Sequence, residues 1–368
     1  MAAAPAVART PTGYLSGPAR LQGVDLARGF AVLGMLAAHL VTLPTWRWDD
    51  PATWGDIVNG RSSILFATLA GVSIALVSGG AVPLSPGRAL RRVRASLAVR
   101  AVLLWAVGLA LIATGVPVYV ILPAYGVLFL LALPLLRLRA PALWALAAAL
   151  ALVMPWVQPV LDALPLWAGD TGRDVSNAVG WHYPVTVWIA FVVAGLAAGR
   201  SDLAAARTPP VLLGAGASLA LIGYGTDAAV TASGAVPTGG YLSEVLAGEA
   251  HSSGLLEVIG SGGFALASLA VCLLLCRVRA AAAVSLPLRA VGAMPLTAYV
   301  GQIVAWALVA AAVLGDTGDL LGMRDLSPFW PFALGTIAFC TAWALLVGRG
   351  PLEWVFARVA RLATRRVA

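Results

Sequence analysis

The chain has no lysine, and its 368 residues include only three histidines and three cysteines. Its 24 basic side chains are all arginine; with the abundance of Ala, Gly and Val this reflects base composition more than chemistry. The cysteines, Cys272, Cys276 and Cys340, lie inside apolar runs and pack there as small hydrophobes, so neither a disulfide nor a metal site is expected. Charge is scarce too. With 11% charged and 60% hydrophobic residues and a mean hydropathy of +0.90, the composition argues against a soluble domain and for a multi-span membrane protein. A formal charge of +8 would suggest a nucleic-acid partner in a soluble protein; in a membrane protein the placement of arginine matters instead, and no nucleic acid is expected. Nor does the beginning, from Met1 to about Arg20, have the apolar core and cleavage site of a signal peptide. It reads as a disordered cytoplasmic tail over 1–20, which leaves the first span in the mature protein.

What fills the rest is a series of apolar runs. They predict an all-α polytopic helical bundle of about ten transmembrane helices, one domain over 21–355, followed by a short basic cytoplasmic tail over 356–368. The spans fall at about 24–43, 57–79, 97–116, 118–136, 141–160, 183–199, 210–232, 256–276, 290–314 and 328–347. One set of connections carries Arg88, Arg91, Arg92, Arg94, Arg137, Arg139, Arg200, Arg207, Arg277, Arg279 and Arg289, with Arg349, Arg358, Arg361, Arg365 and Arg366 after the last span. The other set carries only Arg47, Arg173 and Arg324. So lopsided a distribution places both termini in the cytoplasm, in a plasma-membrane protein, and suits an even number of spans. The outer loops are acidic and aromatic, with Trp46, Trp48, Asp49, Asp50, Trp54 and Asp56 in the first, Trp167 and Trp181 in the second, and Glu244, Glu249 and Glu257 in the third. An interfacial belt accounts for much of the tryptophan.

The first span is the unusual one. Val24-Asp25-Leu26-Ala27-Arg28-Gly29-Phe30 opens it and His39 nearly closes it. Helical geometry puts Arg28 and His39 on nearly one face, about 16 Å apart in height. Asp25, three residues before Arg28, joins the stripe and can pair with it. Ionisable groups within a bilayer face the protein interior and mark substrate or proton paths. His39, about a turn from the outer end, can take a proton from a hydroxyl or amine and return it, where the plainer reading is a histidine packed between helices. Arg61, about a turn below the outer surface at the start of the second span, can hold an anionic oxygen; equally it can snorkel or pair with Asp56.

Other polar groups have bland readings beside the functional ones. Arg88, Arg91, Arg92 and Arg94 suit the phosphates of a nucleotide-bearing cosubstrate, and topology or anionic lipid explains such a cluster as well. Trp181, His182 and Tyr183 at the sixth span, with Glu244, Glu249 and His251 before the eighth, can bind an acceptor or can simply be solvated. Gly29, Gly34, Pro123 and Gly126 are candidate interruptions of spans. Glu353, within Gly350-Pro351-Leu352-Glu353-Trp354, is one of few acids on the inner side and can pair with an arginine.

Arg28, ten intervening residues and His39 resemble the Arg-x10-His signature of the acyltransferase-3 family. The same segment, with Gly60-Arg61-Ser62-Ser63-Ile64-Leu65-Phe66 and Leu69-Ala70-Gly71-Val72-Ser73-Ile74-Ala75-Leu76, resembles the heparan-alpha-glucosaminide N-acetyltransferase catalytic domain. Gly292 to Gln302 and then Gly350 to Trp354 are similar to YeiB-like bacterial membrane proteins. These motifs cover about a quarter of the chain. The resemblance implies transfer of an acyl group from cytoplasmic acyl-coenzyme A, acetyl-coenzyme A in the first instance, to an acceptor on the other side, typically a sugar of the cell envelope. Arg28 then stands near the donor and His39 at the transfer point. One departure matters: the heparan enzyme resembles an asparagine at the place of His39 and has its working histidine in the next outer loop, where this chain has none. The alternative is a secondary transporter or flippase in which Asp25, Arg28 and His39 form a relay; it requires broken helices meeting near the midplane.

Overall fold

The computed structural model describes residues 13–17, 20–47 and 49–365, so the first twelve residues of the expected tail, Trp48 and Arg366 lie outside the described residues. Among the described residues there is no strand. The bundle is built from α1 (Gln22–Leu40), α2 (Arg61–Val77), α3 (Arg88–Ile112), α4 (Leu122–Ala132), α5 (Ala140–Asp162), α6 (Val185–Arg200), α7 (Thr208–Ser233), α8 (Leu255–Leu275), α9 (Leu286–Ala293), α10 (Pro295–Val309), α11 (Phe329–Leu346) and α12 (Pro351–Ala363). Eight segments among the described residues are helical, long and apolar enough to cross a membrane, and Leu122–Arg137 and Val185–Arg200 are shorter apolar helices. These ten coincide in position with the ten predicted spans. The chain is a helical polytopic membrane protein.

Helices in lipid gain little from hydrophobicity alone, so they are held by close packing of small residues. A Cβ on Gly71 of α2 would strike the Val192 carbonyl of α6, and one on Gly195 of α6 would strike the Thr68 carbonyl of α2. Gly29 and Gly34, candidate interruptions in the sequence, interrupt nothing: α1 is continuous, and the two glycines seat Leu288 of α9 and Ser62 of α2 against it. Pro123 lies in the first turn of α4, where its missing N–H costs no hydrogen bond, and Gly126 admits the α3 backbone at Ala101.

The predicted span 290–314 is two helices. Met294, at φ −136° and ψ 56°, leaves helical geometry, and Pro295 starts α10 afresh. The freed amides of Leu296 and Thr297 donate to Glu353 Oε1 at 2.8 and 3.1 Å, and the Thr297 hydroxyl donates to Oε2 at 2.5 Å. Among the described residues Glu353 makes no arginine ion pair; it caps α10 from the first turn of α12. The two C-terminal motifs are one structural unit, joined further by Leu352 N donating to Thr297 Oγ1 at 3.1 Å. The segment read as a basic tail is the second half of α12, whose Phe356, Ala357 and Ala360 are buried. At the other terminus Gly13–Ser16 forms a helical turn, Leu15 is fully buried, and its carbonyl accepts from Arg289 at 2.5 Å.

The bundle has two chemically distinct ends. One gathers Asp25, Ser78, Arg200, Arg289 and the start of α3. The other gathers His39, Arg61, Tyr183 and Glu257.

Candidate active site

At the histidine end, α1 closes with His39, which is half-buried, and its backbone carbonyl accepts from Arg324 Nε at 3.0 Å. Gly60, at φ 65°, turns the chain into α2 so that Arg61 is its first residue. Arg61 Nε donates to the Tyr224 hydroxyl at 2.8 Å, its Nη1 to the Asp56 carbonyl at 3.2 Å, and its guanidinium lies 4.6 Å from the Tyr224 ring centroid. Arg61 bonds the Asp56 carbonyl and not its carboxylate. Tyr224 in turn shares a 2.8 Å hydrogen bond with Ser261 of α8.

All three histidines of the sequence come to this end. The His182 and His251 rings are 5.6 Å apart, and His251 lies within electrostatic reach of His39. His182 stacks on Tyr119 at 3.2 Å; Tyr183 meets His251 edge-on at 5.7 Å and donates to the Tyr119 carbonyl at 2.9 Å. Desolvation, then the neighbouring His251, lowers His182 to about 4, and burial lowers His251 as well. Both are neutral imidazoles near neutral pH, able to accept a proton.

At the arginine end, Asp25 is 3% exposed and bonded by two arginines: Arg20 through Nε, and Arg28 through Nη1 at 3.1 Å. The i, i+3 pair of the sequence reading is therefore present. Arg28 Nη2 donates to Ser73 Oγ at 2.7 Å and faces a cavity of about 130 Å³ lined by Phe66, Ser73, Tyr125, Leu296 and Tyr299 among others. The Tyr125 hydroxyl is buried there with no hydrogen-bond partner among the described residues. Tyr125 stacks on Phe66 at 5.6 Å and lies within electrostatic reach of Tyr183 and Tyr299. Aromatic hydroxyls thus continue from the Arg28 cavity toward the histidines.

The remaining sequence candidates are placed as follows. Arg88, Arg91 and Arg92 are exposed on the first turns of α3, and Arg94 is half-buried with an unpartnered Nε. Trp181 turns away from the histidines: its Nε1 donates to Asp162 at 2.7 Å and its ring stacks on Trp167 at 4.2 Å. Glu244 and Glu249 are exposed. Tyr125, Tyr224 and Ser261 carried no sequence signal, since each is one polar group in an apolar helix. Glu257, read as an outer-loop acid, is 3% exposed in the first turn of α8.

The fold and site define a polytopic helical membrane protein with imidazoles and an arginine at one end and a cavity faced by a half-buried arginine within the bundle. Residues 20–223, more than half of the chain, match the model of the heparan-alpha-glucosaminide N-acetyltransferase catalytic family, and the chain belongs to that family. Residues 217–363 match a second family, a protein of unknown function designated DUF418. No curated protein matches the chain. The two matched regions meet within α7, and the site is built from both: Arg61 bonds Tyr224, and His182 neighbours His251.

Proposed function

We propose that this protein transfers an acyl group, acetyl in the first instance, from acyl-coenzyme A to a hydroxyl or amine of an envelope sugar on the opposite side of the plasma membrane. The arginine end, with both termini, is then cytoplasmic. The observation that carries this reading is the convergence of three imidazoles and Arg61 at one end of the bundle, with the Arg28 cavity beneath them.

In this mechanism the phosphates of coenzyme A rest on Arg88, Arg91, Arg92 and Arg94. The pantetheine arm rises beside Asp25 and Arg28, a pair held rigid by Arg20 and Ser73. The thioester carbonyl meets His39, and charge developing on its oxygen is met by Arg61, whose guanidinium is already oriented by Tyr224. The acceptor enters past His182 and Tyr183, with Trp181, Glu244 and Glu249 on its approach. Its oxygen or nitrogen bonds to the carbonyl carbon, its proton passes to an imidazole, the C–S bond breaks, and the thiolate leaves with a proton. His39 either takes the acceptor's proton in a direct displacement or carries the acyl group in two steps.

Removing a positioned imidazole costs on the order of 10²–10⁴ in rate. In inverted membrane vesicles supplied with labelled acetyl-coenzyme A, His39→Ala should lose label transfer to envelope material by that factor. The purified variant should still be thermally stabilised by coenzyme A and not by unrelated nucleotides. Full transfer by the variant overturns the role of His39; no protein-dependent transfer by the wild type overturns the reading as a whole.

A further inference from the structure

The connection from α7 to α8 contains a device that the mechanism above leaves unused. Glu257 reaches back from the first turn of α8 and accepts from the backbone N–H groups of His251 and Ser253, each at 2.6 Å, and from Ser252 Oγ at 3.2 Å. Its carboxylate holds the loop in an uncommon shape, with His251 at φ 66° and Ser253 at φ 58°. Left-handed backbone at two non-glycine residues, clamped by a buried carboxylate, is costly and persists where the surrounding structure enforces it, typically at functional sites. The same carboxylate lies within electrostatic reach of Arg61. The loop is also seated on the start of α2: a Cβ on Gly60 would come 2.9 Å from that of Ala250 and 3.6 Å from Glu257 Oε1.

What the clamp presents is an imidazole with an unmet bond. His251 Nδ1 is buried and has no hydrogen-bond partner among the described residues. Buried polar atoms are nearly always paired, so an orphaned nitrogen among two other imidazoles and a tyrosine is a position kept for a group that arrives from outside.

We propose that His251 is a second catalytic imidazole, the one that accepts the proton of the incoming hydroxyl or amine, and that Glu257 is its positioning residue. This rests on the acyl-transfer reading. As the acceptor oxygen or nitrogen bonds to the acyl carbon, its proton moves to His251; the bond from that carbon to its carrier, the thioester sulfur or the His39 nitrogen, breaks, and the proton is returned to the departing thiolate or imidazole. Acyl and proton roles are then divided, leaving His39 to the carbonyl side.

Glycine adopts φ 66° freely, so His251→Gly preserves or improves the fold of the loop while removing the ring. In the vesicle assay it should lose label transfer by about 10²–10⁴, keep its thermal stabilisation by coenzyme A, and recover transfer when free imidazole is added. Glu257→Gln, which replaces one accepting oxygen by a donor, should give a smaller loss that imidazole does not restore. His251→Gly retaining most wild-type transfer, or a loss that imidazole leaves unchanged, overturns the proposal while the acyl-transfer reading survives on His39→Ala. Absence of transfer by the wild type is the separate failure of that reading.

Discussion

The two ends of the bundle treat their polar groups in opposite ways. At the arginine end the buried charged groups are each held by two or more bonds, although the Nε atoms of Arg200 and Arg289 have no partner among the described residues. Asp25 has Arg20 and Arg28; Arg200 donates to the carbonyls of Ala75, Gly80, Ser78 and Leu136 and to the Ser78 hydroxyl; Arg289 donates to Leu15 and Ala282. At the histidine end the His251 ring has a nitrogen with no hydrogen-bond partner among the described residues, and the His182 ring stacks on Tyr119 beside it. A satisfied buried network fixes structure, whereas an unsatisfied one waits for a ligand. The comparison teaches where stability and chemistry reside, and it is broken if substitutions at the two ends fail the same way.

The widest expected separation is between His39→Ala and Asp25→Ala. The first should reduce transfer by on the order of 10²–10⁴ with little change in thermal unfolding. The second leaves two arginine head groups facing each other at a site that is 3% exposed. Breaking a buried pair from one side costs about 3–5 kcal/mol, so Asp25→Ala should unfold far below the wild type in detergent, and its low transfer should track the loss of folded protein. If Asp25→Ala folds normally and loses only activity, the arginine end is chemical as well.

A smaller effect belongs to Glu353. It caps the freed amides of Leu296 and Thr297 beside the Arg28 cavity, which Leu296 lines. Loss of a helix cap costs about 0.5–2 kcal/mol, so Glu353→Ala should lower the unfolding temperature by about 1–4 °C and Glu353→Gln by less. Equal stability of Glu353→Ala and the wild type would remove Glu353 from the structural set.

The helices were legible in the sequence because a bilayer demands about 20 apolar residues per crossing, and this chain meets the demand with few charges. The Asp25–Arg28 pair was legible for a similar reason, since positions three apart on one helix are neighbours whatever surrounds them. What could not be read is what separate loops bring together. His182 and His251 belong to connections nearly seventy positions apart, and no periodicity relates them. The break at Met294 was hidden because Gly292-Ala293-Met294-Pro295 is apolar throughout; hydropathy registers the run but not the missing N–H that stops the helix. Glu353 looked like an arginine partner because only charge was visible, while the amides it caps exist only once α10 starts at Pro295.

The finest test falls on the exposed arginines of the arginine end. Arg88, Arg91 and Arg92 are exposed, their side chains make no hydrogen bond or ion pair among the described residues, and they sit at the start of α3 with no acid in its first turn. A helix N-terminus carries partial positive charge, so placing arginines there is unfavourable unless an anion comes to them. Changing all three to Gln should leave thermal stability within about 0.5 kcal/mol of the wild type, because nothing they touch is lost. The binding consequence is specific. If they hold donor phosphates, wild-type protein should be stabilised more by coenzyme A than by its 3′-dephospho form, and the triple variant should respond to both alike. A variant that keeps the full difference places the donor phosphates elsewhere, and the unpartnered arginines then serve the membrane surface alone.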